Sequence, residues 1–91
     1  MKFEFDASKS AANKAKHGID FIEAQTVWTG LHVEVQAKTE GGEKRFAVLG
    51  NIGAVIYIVI ITYRGATRRI ISARRATKNE AAIHEQKTNR T

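Results

Sequence analysis

The run Ala54-Val55-Ile56-Tyr57-Ile58-Val59-Ile60-Ile61-Thr62 is apolar at odd and even positions alike. In a strand, successive side chains point to opposite faces, so such a run needs cover on both sides and predicts a central strand. It is also far short of the ~20 apolar residues that a membrane-spanning helix requires. The segments around it alternate. Residues 32–38 set Val33, Val35 and Ala37 against His32, Glu34 and Gln36. Gly41-Gly42 makes a turn, and residues 43–50 carry Phe46 and Val48 on one face and Arg45 and Ala47 on the other, so the two segments predict a hairpin. Gly65 marks the turn into a fourth strand, 67–75. Strict alternation there puts Arg69, Ile71, Ala73 and Arg75 on one face and Arg68, Ile70, Ser72 and Arg74 on the other.

Before Gly30 the period is helical. Phe3 and Phe5 alternate with Lys2, Glu4 and Asp6 as in a short edge strand or entry segment. Asp6 then caps a helix over 7–17, where Ala11, Ala12 and Ala15 form a narrow apolar stripe and Gly18 is the stop. Asp20 with Glu23 opens a second helix to about Thr29, with Phe21, Ala24, Val27 and Trp28 facing inward. Thr77-Lys78-Asn79-Glu80 is a capping box for a last helix over 77–86, on which His84 reads as exposed. The expected fold is α+β: a short N-terminal strand, two helices, a four-stranded antiparallel meander and a C-terminal helix. The helices lie on one face of the sheet, and the other face or an edge is left for function. One domain is expected over 1–86, with 87–91 a frayed tail.

With 43% hydrophobic and 26% charged residues in 91, the chain has the composition of a small globular domain. The absence of cysteine excludes disulfides and thiolate chemistry and suits a reducing cytoplasm. No apolar stretch follows Met1 as a signal segment would, so neither secretion nor membrane insertion is expected. The formal charge is +6, and residues 61–91 hold eight Lys/Arg against two Asp/Glu while the first two thirds are balanced. A one-sided basic surface suits a polyanion, since cations that neutralise phosphates release condensed counterions. A basic surface that meets an acidic protein is the alternative.

His17, His32 and His84 are scattered without metal-ligand spacing, and the glycines form neither a P-loop nor a dinucleotide pattern, so no metal and no cofactor is expected. What remains is Lys16-His17-Gly18, Glu43 with Arg45, Arg64, and Arg68, Arg69, Arg74 and Arg75. RNA can be cut without a metal when a base takes the 2′-hydroxyl proton, cations stabilise the phosphorane and an acid protonates the leaving 5′-oxygen. Each candidate has a duller role open to it: His17 on the helix dipole, Glu43 paired across strands with Arg45, Arg64 solvated beside a turn. Trp28 and Tyr57 read as core, Thr77 and Glu80 as capping.

Phe3-Glu4-Phe5-Asp6, Lys9, Asn13, Lys16-His17-Gly18-Ile19, Phe21, Glu43, Arg45, Gly50, Thr62, Arg64 and Arg69-Ile70-Ile71-Ser72-Ala73-Arg74-Arg75-Ala76 with Glu80 together resemble the BrnT toxin family, from about Phe3 to about Glu80. The resemblance implies a RelE-like fold and a metal-independent endoribonuclease that inhibits translation and growth. It also implies a BrnA-like ribbon-helix-helix antitoxin, with operator DNA reached only through the complex. Carried onto this chain, the family's polar positions fall on Lys16, His17, Glu43, Arg45, Arg64, Arg69 and Arg74. The mechanism expected from this has His17 or Glu43 as base or acid, Arg64, Arg69 and Arg74 on the phosphate, and Lys16, Arg45, Arg68 and Arg75 on the RNA. The sequence departs from the family at Phe5, where tryptophan is usual, near Ile61, where an aromatic is frequent, and near His84, where tyrosine is common. A catalytically degenerate module that grips RNA or docks its antitoxin in operon autoregulation is the alternative.

Overall fold

The structure, a computed structural model, describes residues 1–89. Its elements run β1 (Phe3–Glu4), α1 (Ala7–His17), a 3₁₀ helix (Glu23–Thr29), β2 (His32–Gln36), β3 (Phe46–Ile52), β4 (Val55–Arg64), β5 (Thr67–Arg75) and α2 (Lys78–Thr88). The fold is α+β, but the sheet has five strands, ordered β1-β5-β4-β3-β2. The antiparallel strands β2 to β5 are extended by β1, which pairs in parallel with β5 through Phe3 with Arg68 and Glu4 with Arg69. The second helix is 3₁₀, and α2 continues to Thr88, two residues beyond its expected end. Of the tail expected to fray, Arg90 and Thr91 lie outside the described residues.

The helices occupy both faces of the sheet, not one. On the first face, Val48, Val59, Ile61, Ile70 and Ala73 pack with Ile19, Phe21, Ala24, Val27 and Trp28 from the segment after α1. On the second, Ala47, Leu49 and Ile58 pack with Val33, Val35, Ile60 and Ala76 under α2, which crosses β2, β3 and β4. The doubly apolar run of β4 required this two-sided cover. Burying each large apolar side chain contributes roughly 1.5–3 kcal/mol, so the first cluster, with Phe21 and Trp28, is the dominant core. Gly50 lies in it at the point where the 3₁₀ helix meets β3. A Cβ there would stand 2.7 Å from Val27 Cγ1 and 3.1 Å from the Val27 carbonyl oxygen, so only a glycine allows this approach.

Helix α1 forms where expected, with the Asp6 carboxylate accepting from Lys9 N and Gly18 closing it in the left-handed conformation. Its buried face is not the alanine stripe. Ala11, Ala12 and Ala15 are exposed, and Ser10 and Asn13 are buried. Strand β1 pairs only with Arg68 and Arg69, which leaves the edge of β5 open further along. Asn13 fills that gap: its Nδ2 donates to the carbonyls of Ala73 and Ile19, both at 2.8 Å, and its Oδ1 accepts from Ala73 N at 3.4 Å. The side-chain amide stands in for one residue of a missing strand. Ser10 Oγ accepts from Phe21 N at 2.9 Å and ties the following loop to the same helix. His84 is likewise buried, not exposed, with Nε2 3.1 Å from the Leu31 carbonyl oxygen, where it fixes α2 to the start of β2.

Removing the amide strands three backbone groups in a buried setting, each worth about 1–3 kcal/mol when left unpaired, with partial relief by water. Asn13→Ala should therefore lower unfolding free energy by about 2–4 kcal/mol in urea titrations, while Ala12→Ser costs less than about 0.5 kcal/mol. Similar small losses in both variants would show that the amide does not hold α1 to β5.

Candidate active site

The pairing of β4 with β5 runs Tyr57 with Arg75, Ile58 with Arg74, Val59 with Ala73 and Ile60 with Ser72, then jumps to Ile61 with Ile70, Thr62 with Arg69, Tyr63 with Arg68 and Arg64 with Thr67. Ile71 is the extra residue of a β-bulge, which shifts the alternation by one. Ile70 and Ala73 consequently share the first face, and both lie in the main core. The arginines sort differently from the expectation of strict alternation. Arg69 and Arg74 share the α2 face with Arg64 from β4, and Arg68 and Arg75 lie on the opposite face.

Helix α2 covers only one end of its face. Ala76 N donates to the Ile56 carbonyl, and His84 reaches Leu31 beside His32, in the row where His32, Gly50, Tyr57 and Arg75 align. The opposite end of that face is clear of it. There Arg64 and Thr67 are cross-strand neighbours, as are Thr62 and Arg69, which places the two arginines on the diagonal of the pair. The loop between β2 and β3 adds acidic groups at this end. Gly41 and Gly42 turn it tightly, and Glu40 and Glu43 exchange backbone hydrogen bonds across the turn. Thr62 is buried and donates from Oγ1 to the Lys44 carbonyl at 2.9 Å, fastening that loop to β4.

Each arginine of this face meets a carboxylate, with different strength. Arg64 Nη2 is 3.9 Å from Glu43 Oε2, a loose exposed pair. Arg69 Nη1 donates to Glu4 Oε2 at 2.7 Å. Arg74 is engaged on two sides: Nη1 and Nη2 donate to the two oxygens of Glu80 at 2.8 and 2.9 Å, and Nη1 also to the Arg75 carbonyl at 3.1 Å. Glu43 does not pair with Arg45; Arg45 Nη1 is 3.0 Å from Glu40, and its Nε is buried without a partner.

The structure thus brings Glu43, Arg64 and Arg69 to one uncovered end of the sheet, with Arg45 on the adjoining loop. Arg74 is on the same face but locked to α2. Arg68 is on the other face, its guanidinium 5.5 Å from the centre of the Tyr63 ring, and Arg75 is there too, beside Tyr57. Lys16 and His17 are exposed at the C-terminus of α1. That terminus lies toward the Arg75 end, since Asn13 of the same helix is bonded to Ala73. Neither Lys16 nor His17 joins the Glu43 cluster. Sequence reasoning missed Glu4 and Thr62 as members of this end. The alternation of Glu4 with Phe3 and Phe5 marked a polar strand face, but only the parallel register on β5 sets it beside Arg69.

Among the described residues no group of three His, Asp or Glu side chains is placed to hold a metal ion, and no helix is long and apolar enough to cross a membrane. A family model described as ribonuclease toxin, BrnT, of type II toxin-antitoxin system matches residues 5–80. A comparison with curated proteins finds no match.

The Arg74 guanidinium, with help from Thr77 N, holds the Glu80 carboxyl at about 2, well below its ordinary 4.5. A carboxyl depressed in the folded state contributes stability that is complete above its unfolded value and lost as pH falls through the folded one. Arg74→Ala should therefore cost about 1–2 kcal/mol at pH 7, a figure reduced for partial solvent screening. The gap to wild type in thermal melts should narrow as pH drops from 4.5 toward 2. A gap independent of pH would remove the Glu80 pair as its source.

Proposed function

Because the chain belongs to the BrnT family of type II toxin-antitoxin ribonuclease toxins, we propose that it is a metal-independent endoribonuclease, RelE-like in fold, that cuts RNA at the Arg64–Arg69 end of the sheet. The observation that carries this reading is the convergence of two arginines and one carboxylate there, clear of α2. In this mechanism the Glu43 carboxylate takes the proton of the 2′-hydroxyl, and the 2′-oxygen attacks phosphorus. The bond from phosphorus to the 5′-oxygen breaks, leaving a 2′,3′-cyclic phosphate and a 5′-hydroxyl whose proton comes from water. Arg64 and Arg69 carry the charge that builds on the phosphorane oxygens; guanidinium forks match those oxygens in geometry. The looseness of the Arg64–Glu43 pair suits this division of labour, since neither group is locked to the other when RNA enters.

Arg45, on the adjoining loop, contacts a flanking phosphate. Lys16 and Arg75 add positive charge at the far end, where His17 lies outside proton transfer, and Arg68 stacks on Tyr63 on the opposite face. Arg74 acts by fixing α2, not by gripping phosphate. The chain works in the cytoplasm, where a BrnA-like ribbon-helix-helix antitoxin holds it inactive and brings the complex to operator DNA. Without that partner, RNA cleavage arrests translation and growth.

Purified chain should cut single-stranded RNA in EDTA and leave cyclic phosphate ends. Arg69→Ala and Glu43→Gln should each lower kcat/KM by about 100-fold or more, as loss of a transition-state charge partner or base does. His17→Ala should stay within about threefold, because each tenfold needs about 1.4 kcal/mol of barrier that a distant group does not supply. RNA that is shifted on gels but uncut would make the chain a binding module. An equal loss in His17→Ala would move proton transfer to the end of α1.

A further inference from the structure

Resting on the ribonuclease reading above, we infer that Glu4 is a positioning residue of the site, which orients the Arg69 guanidinium for phosphate while leaving most of its donors free. A guanidinium has five N–H donors, and how many a protein carboxylate occupies decides whether any remain for a ligand. Arg74 spends both terminal nitrogens on Glu80 and one of them also on the Arg75 carbonyl. Arg64 has only a 3.9 Å contact to Glu43, which restrains its direction little. Arg69 is intermediate: among the described residues its one side-chain hydrogen bond runs from Nη1 to Glu4 Oε2, at 2.7 Å. One short bond restrains the direction of the group and leaves Nε and Nη2, the edge that binds two oxygens of a phosphate side by side.

The carboxylate is itself held by the core. Strand β1 has only two residues, yet the Lys2 carbonyl accepts from Arg68 N at 2.9 Å, and the Phe3 ring packs edge-on against Trp28 at 4.9 Å. Alternation then sends Glu4 to the other face, beside Arg69. The side chains of Arg69 and Glu4 are 29% and 39% exposed, so the pair is partly screened but still reachable by an oligonucleotide. Holding a cation in its working direction before substrate arrives lowers the cost of reorganisation at the moment of reaction. Glu4 also precedes the span matched by the family model, which begins at residue 5.

The test is steady-state RNA cleavage in EDTA by wild type, Glu4→Ala, Glu4→Gln, Arg69→Ala and the Glu4→Ala/Arg69→Ala double variant, each checked for folding by circular dichroism. Glu4→Ala should lose about tenfold in kcat with KM changed by less than about threefold, an effect of misorientation and not of weaker capture. Glu4→Gln keeps an oxygen that can accept from Nη1 and should recover more than half of that loss on a logarithmic scale. In the double variant, Glu4→Ala should add less than twofold to the loss from Arg69→Ala, since it acts through that side chain. Additive losses, a Glu4→Ala rate equal to wild type, or a Glu4→Gln as damaging as Glu4→Ala with the acid limb of the pH profile abolished would each overturn the assignment. The last outcome would make Glu4 a proton carrier. A wild-type chain that cuts no RNA overturns the ribonuclease reading and this one with it, whereas an active wild type matched by Glu4→Ala overturns the role of Glu4 alone.

Discussion

The extra residue in β5 and the amide that seats itself just beyond it set the geometry on which the remainder is built. Ile71 interrupts the alternation so that Ile70 and Ala73, three apart, both enter the main core. The same shift carries Arg69 and Arg74 onto one face. A bulge loosens the ladder locally and raises the twist, so the strand beyond it needs an anchor. Asn13 supplies one by bonding both backbone groups of Ala73 from α1. Were the strand regular, Arg69 would stand on the face of the main core and the polar end of the α2 face would lose a cation.

The three arginines of that face form a graded series. Arg74 with Glu80 is a structural clamp, Arg69 with Glu4 an oriented cation, and Arg64 with Glu43 a loose pair. The grading follows from what carries each carboxylate. Glu80 sits at the third position of a capped helix, where its second function is to accept from Thr77 N. Glu4 rides on a strand pinned by an aromatic contact. Glu43 rides on a two-glycine turn, outside any helix or strand of the sheet. Apart from the Arg74–Glu80 clamp, ion pairs this exposed contribute little to stability one by one, which leaves the directional effect on the guanidinium as the main physical consequence of the other two.

Much of this was legible in the residues. The double apolarity of 54–62 told of cover on both faces more truly than the expectation of one-sided helices did. Asp6 and Gly18 bracketed α1 correctly, and Thr77 with Glu80 opened α2. What hid was whatever depended on distant pairing. Ser10, Asn13 and His84 are buried because backbone groups far along the chain satisfy them, and a pattern of apolar residues cannot register that. The bulge at Ile71 is invisible to alternation, since β5 offers aliphatic residues at 70 and 71 and either could point inward. Glu43, Arg64 and Arg69 could be named from residue type and family resemblance. That they share an end, and that His17 is elsewhere, needed the register.

Gly50 has a reach that its position in the core does not advertise. Because it has no side chain, Val27 rests directly on β3, and the neighbouring Trp28 is set at the depth where its indole meets Phe3. Phe3 adjoins Glu4, which aims Arg69 on the other side of the sheet. A methyl group at residue 50 would press on Val27, next in the chain to the indole on which Phe3 rests, and so on the support of the two-residue strand that carries Glu4. A missing atom in the core thus sits three contacts away from a charged pair on the other face of the sheet.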